Sequence, residues 1–136
     1  MIDEIYSAER CEMGQFTNNG KAILFLKRCD EKDRIQLFKY DLDGSNICPM
    51  PCPDNGDISE LYVSKDKPYY VIQHSGGGEV HTLTFYNTDL RVELEIEKED
   101  AKARQLFGAW KENGFEFFEQ NMDNEVEWNL RQYTVE

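Results

Sequence analysis

The chain has 136 residues, is 40% hydrophobic and 12% aromatic, and carries a formal net charge of −12. That length and composition fit one domain spanning 1–136 with a core of its own, and they argue against a disordered tail. The charge argues against direct nucleic-acid binding, which needs clustered Lys and Arg.

The acidity is uneven. Residues 1–56 hold 7 basic and 10 acidic side chains, and residues 57–136 hold 8 and 17. No apolar run is long enough to cross a membrane. Met1 to Arg10 has neither the basic start nor the apolar centre of a signal peptide. The expectation is therefore a cytoplasmic protein whose four cysteines, Cys11, Cys29, Cys48 and Cys52, are reduced.

Ile2 to Met13 has weak strand character, with Ile5 as its clearest apolar anchor. Asn19-Gly20 is a hairpin signal, because both residues tolerate positive φ. Ala22 to Leu26 is an unbroken apolar run, which predicts a strand covered on both faces. Cys29 to Arg34 reads as a charged loop, Ile35 to Tyr40 as a second strand, and Asp43-Gly44 as a second turn.

The segments GKAILFL and IQLFKYDLDG within Phe16 to Asn46 resemble the TolB-type β-propeller repeat. The resemblance covers about a fifth of the chain. Asn19 stands where that family's turn usually has Asp, and its Pro-Asp is absent. It implies a four-stranded antiparallel blade and no particular activity. Equal spacing supports a repeat: Phe16, Val63 and Trp110 lie 47 residues apart, and Tyr40, Tyr86 and Tyr133 lie 46 and then 47 apart. Three units are fewer than the roughly four blades a closed propeller needs. The sheet then stays open, or copies of the chain complete one another, or the spacing reflects evenly placed hairpins alone.

Pro49, Pro51 and Pro53 remove backbone donors at alternate positions, which predicts a loop or a protected sheet edge. Ile58 to Ser64, Tyr69 to His74 and Val80 to Tyr86 read as strands, with Ser75 to Gly78 as a hairpin loop. Leu90 to Glu97 alternates cleanly, Val92, Leu94 and Ile96 on one side and Glu93, Glu95 and Glu97 on the other. Ala103, Leu106, Phe107 and Trp110 fall at i, i+3, i+4 and i+7. With Glu99 and Asp100 before them and Asn113-Gly114 after them, they predict an amphipathic helix near 99–112. Phe115 to Glu119 and Glu125 to Tyr133 make a closing hairpin. The expected fold is mainly β: an antiparallel meander of about 8–10 strands, curved and either open and propeller-like or barrel-like, with one helix.

Candidate chemistry is sparse. Cys48 and Cys52 lie in a proline-stiffened loop and, with Cys29, Cys11, His74 or His81, offer zinc ligands, but the spacing is unusual and no second pair exists. Metal and cofactor are therefore expected to be none. His74 and His81 flank the triple glycine without a nucleophile motif, and read as solvent-facing loop histidines. Asp41, Asp43 and Asn46 lack the calcium-loop pattern.

The informative feature is acidic. Glu93, Glu95 and Glu97 on one strand, with Glu116, Glu119, Glu125 and Glu127 near the last hairpin, form the candidate partner-binding face, and Trp128 and Tyr133 are its aromatic anchors. Solubility and edge protection alone account for part of such a face. The expectation is a non-enzymatic acidic protein-binding domain with a basic protein partner, such as an immunity protein against a nuclease toxin or an inhibitor of a defence enzyme. A self-associating homo-oligomeric assembly subunit built from propeller-like repeats is the alternative. A third reading is a small-ligand-binding β-barrel lined by Phe25, Phe38, Tyr70 and Phe85.

Overall fold

Turn residues divide the chain into three antiparallel meanders. The computed structural model describes residues 11–28, 35–44, 46–53, 58–75, 81–100, 102–121 and 127–135, the side chains of Cys11 and Asn18 excepted. Ile5, Cys29, Gly76 to Gly78 and Glu125 lie outside that set. The first sheet has the order β1 (Cys11–Thr17), β2 (Ala22–Arg28), β3 (Ile35–Asp41) and β4 (Asn46–Met50). The second is β5 (Ile58–Val63), β6 (Tyr69–His74), β7 (Thr82–Asn87) and β8 (Val92–Glu95). The third is β9 (Ala103–Lys111), β10 (Gly114–Asn121) and β11 (Trp128–Thr134), and has no fourth strand among the described residues.

Local chemistry explains the turns. Asn19 (φ 55) and Gly20 (φ 85) hold left-handed geometry between β1 and β2. Gly114 (φ 149) closes β9 onto β10, where an added Cβ would lie 1.9 Å from the Tyr133 carbonyl oxygen. Pro49 sits in β4, an edge strand, where a missing donor costs no inner ladder bond.

The three sheets share one register. Phe16, Ile23, Tyr40 and Ile47 stand opposite one another across sheet one. Val63, Tyr70, Tyr86 and Glu93 do so across sheet two. Trp110, Phe115 and Tyr133 do so across sheet three. The evenly spaced residues of the sequence thus fall on the first and third strands of each sheet, in the same row.

The sheets stack face to face. Leu24, Leu26 and Leu37 of sheet one pack on Ile58, Leu61, Val63, Tyr70, Ile72 and Tyr86 of sheet two. The other face of sheet two, with Val71, Leu83 and Phe85, packs with Ile96 on Phe115 and Phe117 of sheet three. The central strands of sheet two, β6 and β7, are buried on both sides, which accounts for their nearly unbroken burial. Two glutamines join the layers. Gln15 of β1 donates to the Leu61 carbonyl and accepts from the Val63 amide at 3.3 Å. Gln105 of β9 accepts from the Leu83 amide at 2.9 Å and donates to the Ile96 carbonyl at 3.1 Å.

Two expectations are corrected. The helix near 99–112 is absent; Ala103–Lys111 is β9. The register shifts at Gly108, which stands unpaired between Phe107↔Phe117 and Ala109↔Glu116. That bulge resets the alternation, so Ala103, Phe107 and Trp110 share the inner face, while Leu106 points outward with its neighbour Phe118. The helical spacing is a strand interrupted by one extra residue. The barrel reading fails as well, since the sheets do not close. Phe25 and Phe38 stack 5.9 Å apart on the outer face of sheet one, while Tyr70 lies between sheets one and two and Phe85 between two and three. They line no common pocket.

Candidate functional site

β8 is the outer edge of sheet two, and every residue of it is exposed. Glu93 stands opposite Tyr86 and Glu95 opposite Thr84, so both carboxylates project from the side of the sheet that faces sheet one. Glu97 follows just beyond the strand, also exposed. None of the three makes an ion pair with a described residue. On the other side Val92 and Leu94 are 39% and 40% exposed, against the expectation that they are covered, and only Ile96 is buried. Sheet three ends at β11, so nothing described overlies β8 there. A cleft of about 350 Å³ opens at this place, lined by Phe85, Leu90, Val92, Tyr133 and Val135.

The carboxylates act on their surroundings. Burial pushes the Tyr70 hydroxyl far above its ordinary pKa, and the charges of Cys52 and Glu93 add to that. The Tyr70 hydroxyl donates to the Pro51 carbonyl at 2.6 Å. Burial lowers the pKa of Lys98, and Glu95 and Glu119 oppose the shift.

The remaining predicted residues do not share one place. Glu116 and Trp128 lie on the outer face of sheet three, Glu116 beside Lys111 Nζ at 3.4 Å and Trp128 under the Arg104 guanidinium at 5.6 Å. Glu127 is exposed just before β11. Glu119 points the other way and is buried. Arg131 Nη1 donates to both its oxygens at 3.1 and 3.2 Å, Gln105 donates to it at 3.2 Å, and the Glu99 amide donates at 3.3 Å. Glu119 therefore belongs to an interior polar cluster between sheets two and three and is unavailable to a partner. Tyr133 is half-buried against Phe85 and Phe115, with ring centroids at 5.0 and 5.6 Å. Strand alternation across Glu116 to Glu119 separates these residues, because positions of opposite parity face opposite sides.

The histidines and cysteines do not converge. His74 is buried, not solvent-facing; its Nε2 lies 2.8 Å from Thr84 Oγ1. Burial lowers its pKa below the ordinary 6.5, Glu95 opposing the shift and Lys98 adding to it. Cys48 and Cys52 are half-buried, and Cys52 packs against the core between sheets one and two. Among the described residues no group of three or more His, Cys, Asp or Glu is placed to hold a metal ion. No described helix is long and apolar enough to cross a membrane.

Comparison with protein-family models, with curated proteins and with solved structures finds no match to this chain.

Proposed function

We propose that this chain is a non-enzymatic protein-binding domain that offers the acidic outer edge of its second sheet to a basic protein partner. The observation that carries the reading is the set of Glu93, Glu95 and Glu97, all exposed at one edge and none ion-paired with a described residue. Three close carboxylates repel one another, a cost that a cationic partner removes on docking. The overall charge of −12 adds long-range attraction to such a partner. Val92 and Leu94, exposed on the reverse of the same strand, supply apolar contact area. An inhibitor or immunity protein that masks a basic nuclease or defence enzyme in the cytoplasm is the biological form this chemistry suits. The likeness of residues 16–46 to the TolB-type repeat is a proposal about ancestry and adds no activity.

The test is binding of the purified chain to a panel of basic proteins that includes nucleases. Affinity is expected to fall steeply as salt rises, because the interaction is one of exposed charges. Reversal of all three carboxylates (Glu93→Lys, Glu95→Lys, Glu97→Lys) is expected to weaken binding by about tenfold or more. Binding indifferent to both salt and charge reversal removes the proposal.

A further inference from the structure

Hydrogen bonding at the end of β8 fixes which of its backbone groups face outward. The Ile96 amide donates to the Leu83 carbonyl at 2.9 Å, and these two residues continue the register that pairs Glu95 with Thr84 and Leu94 with Phe85. The Gln105 side chain spans the same step, accepting from the Leu83 amide and donating to the Ile96 carbonyl. In an antiparallel ladder, bonded pairs alternate with non-bonded ones. Leu94 and Val92 therefore turn their backbone groups toward β7. Glu93 and Glu95 turn their N–H and C=O groups to the outer edge of the sheet, where no described strand pairs with them.

Such an edge is a template for one more strand, and its side chains say which strand fits. In antiparallel pairing, residues opposite Glu93 and Glu95 lie on the carboxylate side of the sheet, and the residues between them lie on the side of Val92 and Leu94. On that second side the edge borders the cleft of about 350 Å³ lined by Phe85, Leu90, Val92, Tyr133 and Val135. The complement of β8 is thus an extended segment in which Lys or Arg alternates with Val, Ile or Leu. A second copy of β8 is a poor occupant, because self-pairing sets glutamate against glutamate. A basic helix satisfies the carboxylates but leaves the outward backbone row of Glu93 and Glu95 without partners.

We infer that the basic partner docks by strand addition: it lays an extended segment of alternating basic and apolar residues antiparallel along β8, as a further strand of sheet two. The inference rests on the acidic-edge reading and names the element by which the partner is recognised. Backbone bonds to Glu93 and Glu95 supply affinity, and the alternation of charge and apolar side chains across the two sides of the strand supplies selectivity. Each lysine opposite a glutamate also has its own amide directed at β8, whereas the amides of the intervening apolar residues point away.

That difference supplies the experiment, a titration of the full chain at low salt with capped synthetic peptides. The probes are Lys-Val-Lys-Val-Lys-Val-Lys, the same composition in block order (Lys-Lys-Lys-Lys-Val-Val-Val), and two forms of the alternating peptide N-methylated on the inner lysine amides or on the valine amides. All four carry the same charge. The alternating peptide and its valine-methylated form are expected to bind at least about tenfold tighter than the block and lysine-methylated forms. Amide hydrogen exchange at Glu93 and Glu95 is expected to slow when the alternating peptide is bound, with that at Leu94 little changed. Equal binding of the alternating and block peptides, or of the two methylated forms, overturns strand addition and leaves the acidic edge standing as a site of charge attraction alone. Absence of binding by the alternating peptide also overturns strand addition. The acidic-edge reading is judged separately, by the basic-protein panel and the reversal of Glu93, Glu95 and Glu97, so the two failures are distinct.

Discussion

A carboxylate with 2% of its side chain exposed persists inside a protein only when its oxygens are satisfied, and Glu119 has three such partners in Arg131, Gln105 and the Glu99 amide. Arg131→Ala takes away the charge that balances it, and is expected to cost about 2–3 kcal/mol, at the lower end for a buried pair because Arg131 is partly solvated. Urea denaturation reads that loss as a lower midpoint. His74 supplies a pH dependence. Its imidazole is held below its ordinary pKa by burial, so the unfolded chain takes up the proton first as pH falls. Above about pH 6.5 both states are neutral and the group contributes nothing; below it, stability drops until the folded state also protonates. Thermal melts between pH 8 and pH 5 are expected to show this decline, reduced in His74→Gln. Tyr70→Phe removes a donor from the Pro51 carbonyl and is expected to cost about 1 kcal/mol.

Among the elements, β9 shows how one residue decides which side chains face inward. Gly108 is the extra residue of a bulge, and Phe107 and Trp110 both point to the core only because it is there. Deleting Gly108 turns every side chain on one side of the cut to the opposite face. The expected outcome is loss of the packing among Phe107, Trp110 and Phe115, read as a collapse of the near-ultraviolet signal of the aromatic cluster. Gly114→Ala tests the neighbouring turn. With φ at +149 and the Tyr133 backbone oxygen 1.9 Å from the new Cβ, the pairing of β10 with β11 must open there, and a loss of at least about 2 kcal/mol is expected.

For the whole molecule, the consequential feature is that the described residues form three stacked sheets. Sheet two meets a described sheet on both faces, and sheets one and three each meet one. Val92 and Leu94 stay exposed beside the acidic row, where no described strand of sheet three reaches. The proposed contact with a basic partner lies at this exposed edge. Added salt is expected to weaken that contact, which rests on charge. Partner binding measured at low and high salt checks it.

Much of the architecture was legible in the order of residues. Turn chemistry at Asn19-Gly20 and Asp43-Gly44, with β-rich runs beside them, was enough to mark most strands, because hairpins are specified by local φ preferences, whereas Asn113-Gly114 reads equally as a helix stop and misled. The even spacing of Phe16, Val63 and Trp110 falls on the first strand of each sheet, yet the helical pattern around Trp110 concealed the third of them. What local pattern could not convey was which face of a strand meets another sheet. Leu130 and Leu37 look alike in sequence, yet one lies in solvent and the other in the core, because only stacking order distinguishes them. Glu119 and Glu116 likewise differ in parity, not in kind, and a bulge at Gly108 makes a strand imitate a helix. Burial is a property of neighbours distant along the chain, and it is there that the tertiary structure had the deciding role.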